Sequence, residues 1–171
     1  INTITGTTSV SGTKTWRVPE GTKLPESITV ILNRNDEPVA RKKVTAADDW
    51  SYEFTELPAY SEDGSTAYTY TVDEEPVEGY ITTVSETNLI NTITSVKISK
   101  VDIADGEELE GATIQLIDKE TGEVVEEWTS TNEAHEVTGL TTGKTYILRE
   151  TVAPEGYGIT SDNNFELKAD A

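Results

Sequence analysis

Cysteine and methionine are both absent from the 171 residues, and a single histidine, His135, is present. Without cysteine there are no disulfides and no thiolate metal sites. One histidine gives no basis for a His-rich metal centre or a catalytic triad, so the sequence predicts no bound metal and no cofactor. Methionine is missing even at position 1, which fits an excised or processed segment. Basic residues are scarce too: 13 Lys and Arg stand against 32 Asp and Glu, for a net charge of −19. Such a chain has no electrostatic attraction for nucleic acid or an anionic membrane. The bland reading of the charge is a soluble, self-repelling surface. No apolar run approaches the length of a membrane span, and no signal peptide is present. A Gly-rich phosphate loop and a nucleophile elbow are missing as well, so an enzyme that turns over substrate is not expected.

What is present is β-forming sequence. Thr, Val, Ile and Tyr recur in short alternating runs broken by turn residues, and no stretch sustains a 3.6-residue apolar period. Ser27–Leu32 is a strand candidate with Ile28, Val30 and Leu32 on one face, meeting the polar turn Asn33–Pro38. Ala112–Leu116 repeats the idea and meets Asp118–Gly122. Many short strands with regular turns indicate an all-β sandwich or barrel.

The chain also repeats. Tyr70-Thr71-Val72-Asp73-Glu74 precedes Gly79-Tyr80, and Tyr146-Ile147-Leu148-Arg149-Glu150 precedes Gly156-Tyr157. Upstream, Phe54 and Leu57 mirror Val137 and Leu140. The two glutamates lie 76 positions apart, which predicts two units of about that size. Their boundary falls near Thr94-Ser95. A smaller repeat, Ile1-Asn2-Thr3-Ile4-Thr5, returns unchanged as Ile90-Asn91-Thr92-Ile93-Thr94. Residues 1–6 therefore read as the tail of a preceding repeat or a linker, ahead of domains over 7–94 and 95–171.

Several charges fall on the wrong face. Strand side chains alternate between faces. Tyr68, Tyr70 and Val72 are in phase with Glu74, and Tyr146 and Leu148 with Glu150, so both glutamates point toward a core. Val10, Trp16 and Val18 share their phase with Lys14; Val96 and Ile98 share theirs with Lys100. Leu89 and Ile93 flank Asn91 in the same way. Full burial moves a carboxyl up, or an amine down, by about 3–5 pH units. A buried Lys beside a buried Glu can then exist as neutral amine and neutral acid. The amine is a nucleophile. The protonated carboxyl can hydrogen-bond an amide oxygen, polarise its carbonyl and shuttle protons as ammonia leaves. With Asn91 as the amide, the product is a Lys–Asn isopeptide bond, made once by a protein that is its own substrate. The plainer reading of each pair is an inward salt bridge. The same arrangement at two matching places favours the chemical one.

These residues resemble the collagen-adhesin B-type (Cna B-like) repeats of Gram-positive surface proteins and pilins. The resemblance runs over 7–94, through Val10-Ser11-Gly12-Thr13-Lys14-Thr15-Trp16, the Tyr70–Glu74 strand with Gly79-Tyr80, and Leu89-Ile90-Asn91-Thr92. It implies that Lys14 bonds to Asn91 with Glu74 as catalyst. The second half is similar to the prealbumin-like pilin branch, through Lys100-Val101-Asp102, Leu109–Thr113 and Glu150–Tyr157. There the resemblance implies a cross-linking Lys100 and a catalytic Glu150, with no partner for Lys100 assigned. In that branch the acceptor sits on a last strand beyond Phe165-Glu166-Leu167, and the second domain is expected to lack that strand. Asn163 is in phase with Phe165 but lies too early in the pattern, and Asp170 falls where a turn is expected. The Asn2 segment of a neighbouring molecule is one conceivable donor.

The fold implied is two tandem Ig-like β-sandwiches. The function implied is a structural stalk or pilin-type segment of an extracellular, cell-wall-anchored protein, its anchor outside this segment. Its partners would be neighbouring domains of the same surface protein or pilus. The alternative is an adhesin module that itself binds a host matrix protein through loops such as Ala59–Thr66 or Thr131–Glu136. Asp102, Asp105, Glu107 and Glu108 lack the spacing of an EF-hand calcium loop. Trp16, Trp50 and Trp128 read as core aromatics, and His135 as part of an exposed polar turn.

Overall fold

Period-two alternation governs the first strand, β1 (Thr7–Arg17), where Val10, Gly12, Lys14 and Trp16 turn inward and their neighbours are exposed. A computed structural model of the chain describes residues 4–168. It contains two compact units, divided between Ile93 and Thr94. Among the described residues there is no α-helix; strands and turns make up both units, with one short 3-10 helix at Ala46–Asp48 in the first.

The first unit continues with β2 (Ser27–Arg34), β3 (Glu37–Thr45), β4 (Ser51–Pro58), β5 (Tyr70–Glu74), β6 (Tyr80–Ser85) and β7 (Asn88–Ile93). One sheet has the order β4-β1-β7-β6 and the other β3-β2-β5. Their inner faces meet in one core, with Val10, Tyr52, Phe54 and Leu89 from the first sheet against Ile28, Val30, Leu32, Val44 and Val72 from the second. The polar turn expected over Asn33–Pro38 is tighter than its composition suggests. The strands run on to Arg34 and resume at Glu37, and Asn35 and Asp36 make the reversal with φ of 50° and 67°. Asn and Asp tolerate that left-handed backbone better than other residues with a Cβ.

One pairing in this unit is parallel. β1 and β7 run side by side, with Lys14 opposite Leu89 and Trp16 opposite Asn91, while the other strand pairs are antiparallel. The first and last strands are therefore neighbours. Gly12 sits where β1 crosses the β6–β7 turn. A Cβ there would fall inside van der Waals contact of the Thr87 carbonyl and 2.7 Å from the Tyr52 hydroxyl. That hydroxyl donates to the Thr87 carbonyl. Glycine is required here by close approach of two backbones rather than by its own torsion angles.

The second unit is built from β8 (Ser95–Ile98), β9 (Thr113–Asp118), β10 (Val124–Thr129), β11 (His135–Thr138), β12 (Thr145–Val152) and β13 (Asn163–Glu166). Its sheets have the orders β10-β9-β12-β13 and β11-β8. Ile114, Leu116, Trp128 and Tyr146 of the first pack with Val137 of the second, supported by Val96, Ile98, Leu148 and Phe165. Each unit is thus a β-sandwich, as the strand pattern predicted.

His135 differs from its expected place in an exposed turn. It begins β11 in phase with the buried Val137, so its ring is carried inward onto the opposite sheet. There it stacks on Trp128, with ring centroids 4.3 Å apart, and its Nε2 lies 2.9 Å from a Glu126 carboxylate oxygen.

Candidate functional site

Three strands deliver three polar side chains to the centre of the first unit. β1 supplies Lys14, β7 supplies Asn91, and β5 of the facing sheet supplies Glu74. Each takes the inward position of its strand, and all three are buried: Lys14 and Glu74 are 5% exposed and Asn91 0%. Lys14 and Asn91 are neighbours because β1 and β7 pair in parallel. Glu74 reaches them across the sandwich.

The contacts order these groups. One Glu74 oxygen, Oε2, faces Lys14 Nζ at 3.4 Å. The other, Oε1, accepts a 2.6 Å hydrogen bond from Asn91 Nδ2. The carboxyl thus bridges the amine and the amide nitrogen. The sequence reading had the carboxyl bonded to the amide oxygen. Instead the nitrogen faces Glu74, and Asn91 Oδ1 has no hydrogen-bond partner. Lys14 Nζ is likewise without a well-aligned acceptor. Buried polar groups are nearly always satisfied, so an unpaired amide oxygen and a poorly aligned amine set this cluster apart.

Electrostatics point the same way. Desolvation pulls the Lys14 amine down from its ordinary 10.5 to about 8, against the pull of the Glu74 charge and hydrogen bond. Desolvation pushes the Glu74 carboxyl up, opposed by the Asn91 hydrogen bond and the Lys14 charge. Burial therefore favours neutral forms of both partners. Trp16 forms part of the dry wall: Lys14 Nζ lies 4.4 Å from its ring centroid. Trp50 and Tyr80 meet Trp16 edge-on, at 5.2 and 5.0 Å. Tyr80 was noted only as a repeat marker; its position against Trp16 follows from the β6–β7 pairing, which no local pattern reveals.

The second unit brings Lys100 and Glu150 together. Lys100 follows β8, and Glu150 is an inward residue of β12. Lys100 Nζ lies 3.0 Å from Glu150 Oε2, with side chains 16% and 3% exposed. Glu150 Oε1 accepts a 3.1 Å hydrogen bond from the Thr160 backbone. Here β8 pairs with β11 alone among the described residues. No neighbour corresponds to the β7 that lies beside β1, and the pair opens into a groove that Asn163 also lines. Asn2 and Asp170 lie outside the described residues. No group of three or more His, Cys, Asp or Glu among the described residues is arranged to hold a metal ion.

Comparison with known proteins agrees with this division. Residues 10–95 match the Cna protein B-type domain family, and residues 94–171 match the prealbumin-like fold domain family. A collagen adhesin of Staphylococcus aureus is 32% identical over 92% of this chain. The chain spans only 15% of that relative's length. A single B repeat unit of the collagen-binding surface protein of S. aureus is 28% identical, covers 90% of each chain and superposes with a TM-score of 0.51. The pilus adhesin SpaC of Lactobacillus rhamnosus GG shares the fold, with a TM-score of 0.60 at 20% identity over 97% of this chain and 22% of its own. Both families are structural modules rather than enzymes. The chain belongs to the Cna B-type domain family and carries, after its B-type domain, a domain of the prealbumin-like family.

Proposed function

We propose that this chain is a covalently closed stalk segment of a Gram-positive surface protein, in which Lys14 and Asn91 join through an isopeptide bond made with the help of Glu74. The carrying observation is the Glu74 carboxyl, 3.4 Å from the amine and 2.6 Å from the amide nitrogen in a buried site. The neutral Lys14 amine attacks Asn91 Cγ. Glu74 takes the proton from Nζ at one oxygen and supplies a proton to Nδ2 at the other. The Cγ–Nδ2 bond breaks, ammonia leaves, and Nζ–Cγ remains. Burial supplies the neutral amine, and the fixed strands supply proximity.

The role follows from where the bond sits. A unit of this size has a small core and usually needs a staple, and cysteine is absent. A Lys14–Asn91 bond ties the first strand to the last. Tension applied at the two ends then passes through a covalent link and bypasses the sandwich. Residues 7–94 and 95–171 act as successive stalk modules, after a 1–6 segment from a preceding repeat or linker. Lys100 and Glu150 provide the amine and the catalyst of a second such site. The parent protein is extracellular and wall-anchored, with neighbouring domains of the same protein or pilus as partners. Matrix binding by these loops is the competing role; saturable binding of this segment to immobilised matrix proteins would favour it.

Single-molecule pulling tests the stalk reading. Lys14 and Asn91 are 77 positions apart, which is about 250–280 Å of extended chain. With the bond in place that length stays locked at forces that unfold ordinary domains. In Glu74→Ala it is released. Full extension of the first unit in the unaltered protein would contradict the proposal.

A further inference from the structure

We propose that Thr87 and Asn88, at the turn between β6 and β7, clamp β1 in register and so act as positioning residues for the bond between Lys14 and Asn91. This rests on the amide chemistry proposed for the first unit and adds the device that brings its two reacting strands into step. β7 takes its register on β6 from the turn that joins them, with Ser85 opposite Asn88. No such turn joins β7 to β1, and the residues that meet there are 75 and 76 positions apart. The bonds of a parallel ladder are evenly spaced and mark no register of their own. A slip by one residue would turn the Asn91 side chain out of the core. A slip by two would carry it about 7 Å along the strand, away from the Glu74 oxygen that accepts from its amide at 2.6 Å.

Four hydrogen bonds make the clamp, gathered around Ser11, Gly12 and Thr13, just ahead of Lys14. Asn88 Oδ1 accepts from the Thr13 N–H at 3.0 Å and from the Thr13 hydroxyl at 3.2 Å. A side-chain oxygen thus does the work of a ladder carbonyl. The Thr87 hydroxyl donates to the Ser11 carbonyl at 2.6 Å. On the other side of β1, Tyr52 of β4 stands opposite Gly12 and reaches over it to donate its hydroxyl to the Thr87 carbonyl. Only a residue without a side chain leaves room for that reach. Burial pushes the Tyr52 phenol up to about 12, so below that pH it remains a donor. The β1–β7 ladder begins at the next residue, with Lys14 opposite Leu89.

The clamp acts on proximity and takes no part in the proton transfers. Thr13 directly precedes Lys14, and Asn88 lies three positions before Asn91, so fixing the first pair of residues fixes the second. Misplacing reacting groups by about 1 Å can cost about 100-fold in rate. Loss of the clamp therefore slows the bond even in chains that stay folded. Asn88 is exposed, and its truncation leaves the core of the sandwich intact.

Freshly refolded whole chains, with ammonia loss followed by mass over time, test the clamp. Thr87→Val/Asn88→Ala should form the bond at least about 10-fold more slowly than the parent. Asn88→Asp keeps the acceptor oxygen and should form it at close to the parent rate. Ile28→Val, a core change on β2, controls for lost stability and should leave the rate in folded chains unchanged. A disulfide reads the register apart from the amide chemistry, cleanly in a chain without cysteine. Thr15 stands opposite Ile90 across β1 and β7. Thr15→Cys/Ile90→Cys on a Glu74→Gln background should oxidise readily, and more slowly once Thr87→Val/Asn88→Ala is added. A parent rate in either measurement, in the chain carrying Thr87→Val/Asn88→Ala, would overturn the clamp. A parent chain that loses no ammonia would instead overturn the amide chemistry of the first unit, and the disulfide alone would then decide whether the clamp sets the register.

Discussion

Replacing Glu74 by Gln removes the proton carrier while keeping its volume and a polar end beside Asn91. The Lys14–Asn91 bond should then fail to form, and the first unit should lose the stability of the closure. Lys14 and Asn91 lie 77 positions apart, and by the chain-entropy relation a cross-link of that length contributes about 4–5 kcal/mol. The unlinked variant also leaves the Lys14 amine, 5% exposed, without its carboxyl partner, which adds to the loss. For a unit of this size each kcal/mol shifts the melting temperature by about 4–8 °C. The first unit of Glu74→Gln should therefore melt on the order of 20–35 °C below the parent. Differential scanning calorimetry reads this directly. Its two units give separable transitions if they unfold independently, and only the one assigned to the first unit should move. A Glu74→Gln variant that lacks the bond yet melts within about 5 °C of the parent would refute the reasoning, because the closure would then contribute almost nothing.

Two further outcomes follow from the same geometry. Bond formation in freshly refolded protein should accelerate as pH rises. The Lys14 amine, lowered to about 8, is mostly protonated and inert at pH 6, and its neutral fraction grows about 50-fold by pH 8. Quenched mass measurements over time check this, and a rate independent of pH in that range would contradict a lysine nucleophile limited by protonation. Gly12→Ala should force β1 away from the β6–β7 turn, where its new methyl meets the Thr87 carbonyl and the Tyr52 hydroxyl. A cost of about 1–3 kcal/mol is expected, read by denaturant titration on a Glu74→Gln background so that the bond does not mask it.

Much of the site was legible because strands have a period of two. Lys14, Glu74 and Asn91 each fall in step with apolar neighbours, and the buried positions of β1, β5 and β7 match those phases. Phase says which face a residue takes, not which strand lies beside it. The parallel β1–β7 pairing, the passage of Thr87 over Gly12 and the approach of Tyr80 to Trp16 all join residues far apart in sequence, and local pattern carries no trace of them. The orientation of the Asn91 amide is of the same kind, since it depends on an acceptor oxygen of Glu74 brought to it by the facing sheet. Asn163 shows the limit most clearly. Its phase was readable, but its place in the Lys100–Glu150 groove depends on the register of β13 against β12. His135 was read from its polar neighbours as a turn residue, whereas Trp128 on the facing sheet gives its ring a surface to stack on.

The central claim is that Lys14 and Asn91 are covalently joined, and the mass of the intact protein tests it most directly. The account predicts a chain lighter than its sequence mass by one ammonia for the first unit's bond, with that loss abolished in Glu74→Gln and unchanged in Glu150→Gln. A mass equal to that of the unmodified sequence, in protein folded and incubated above pH 8, would contradict it.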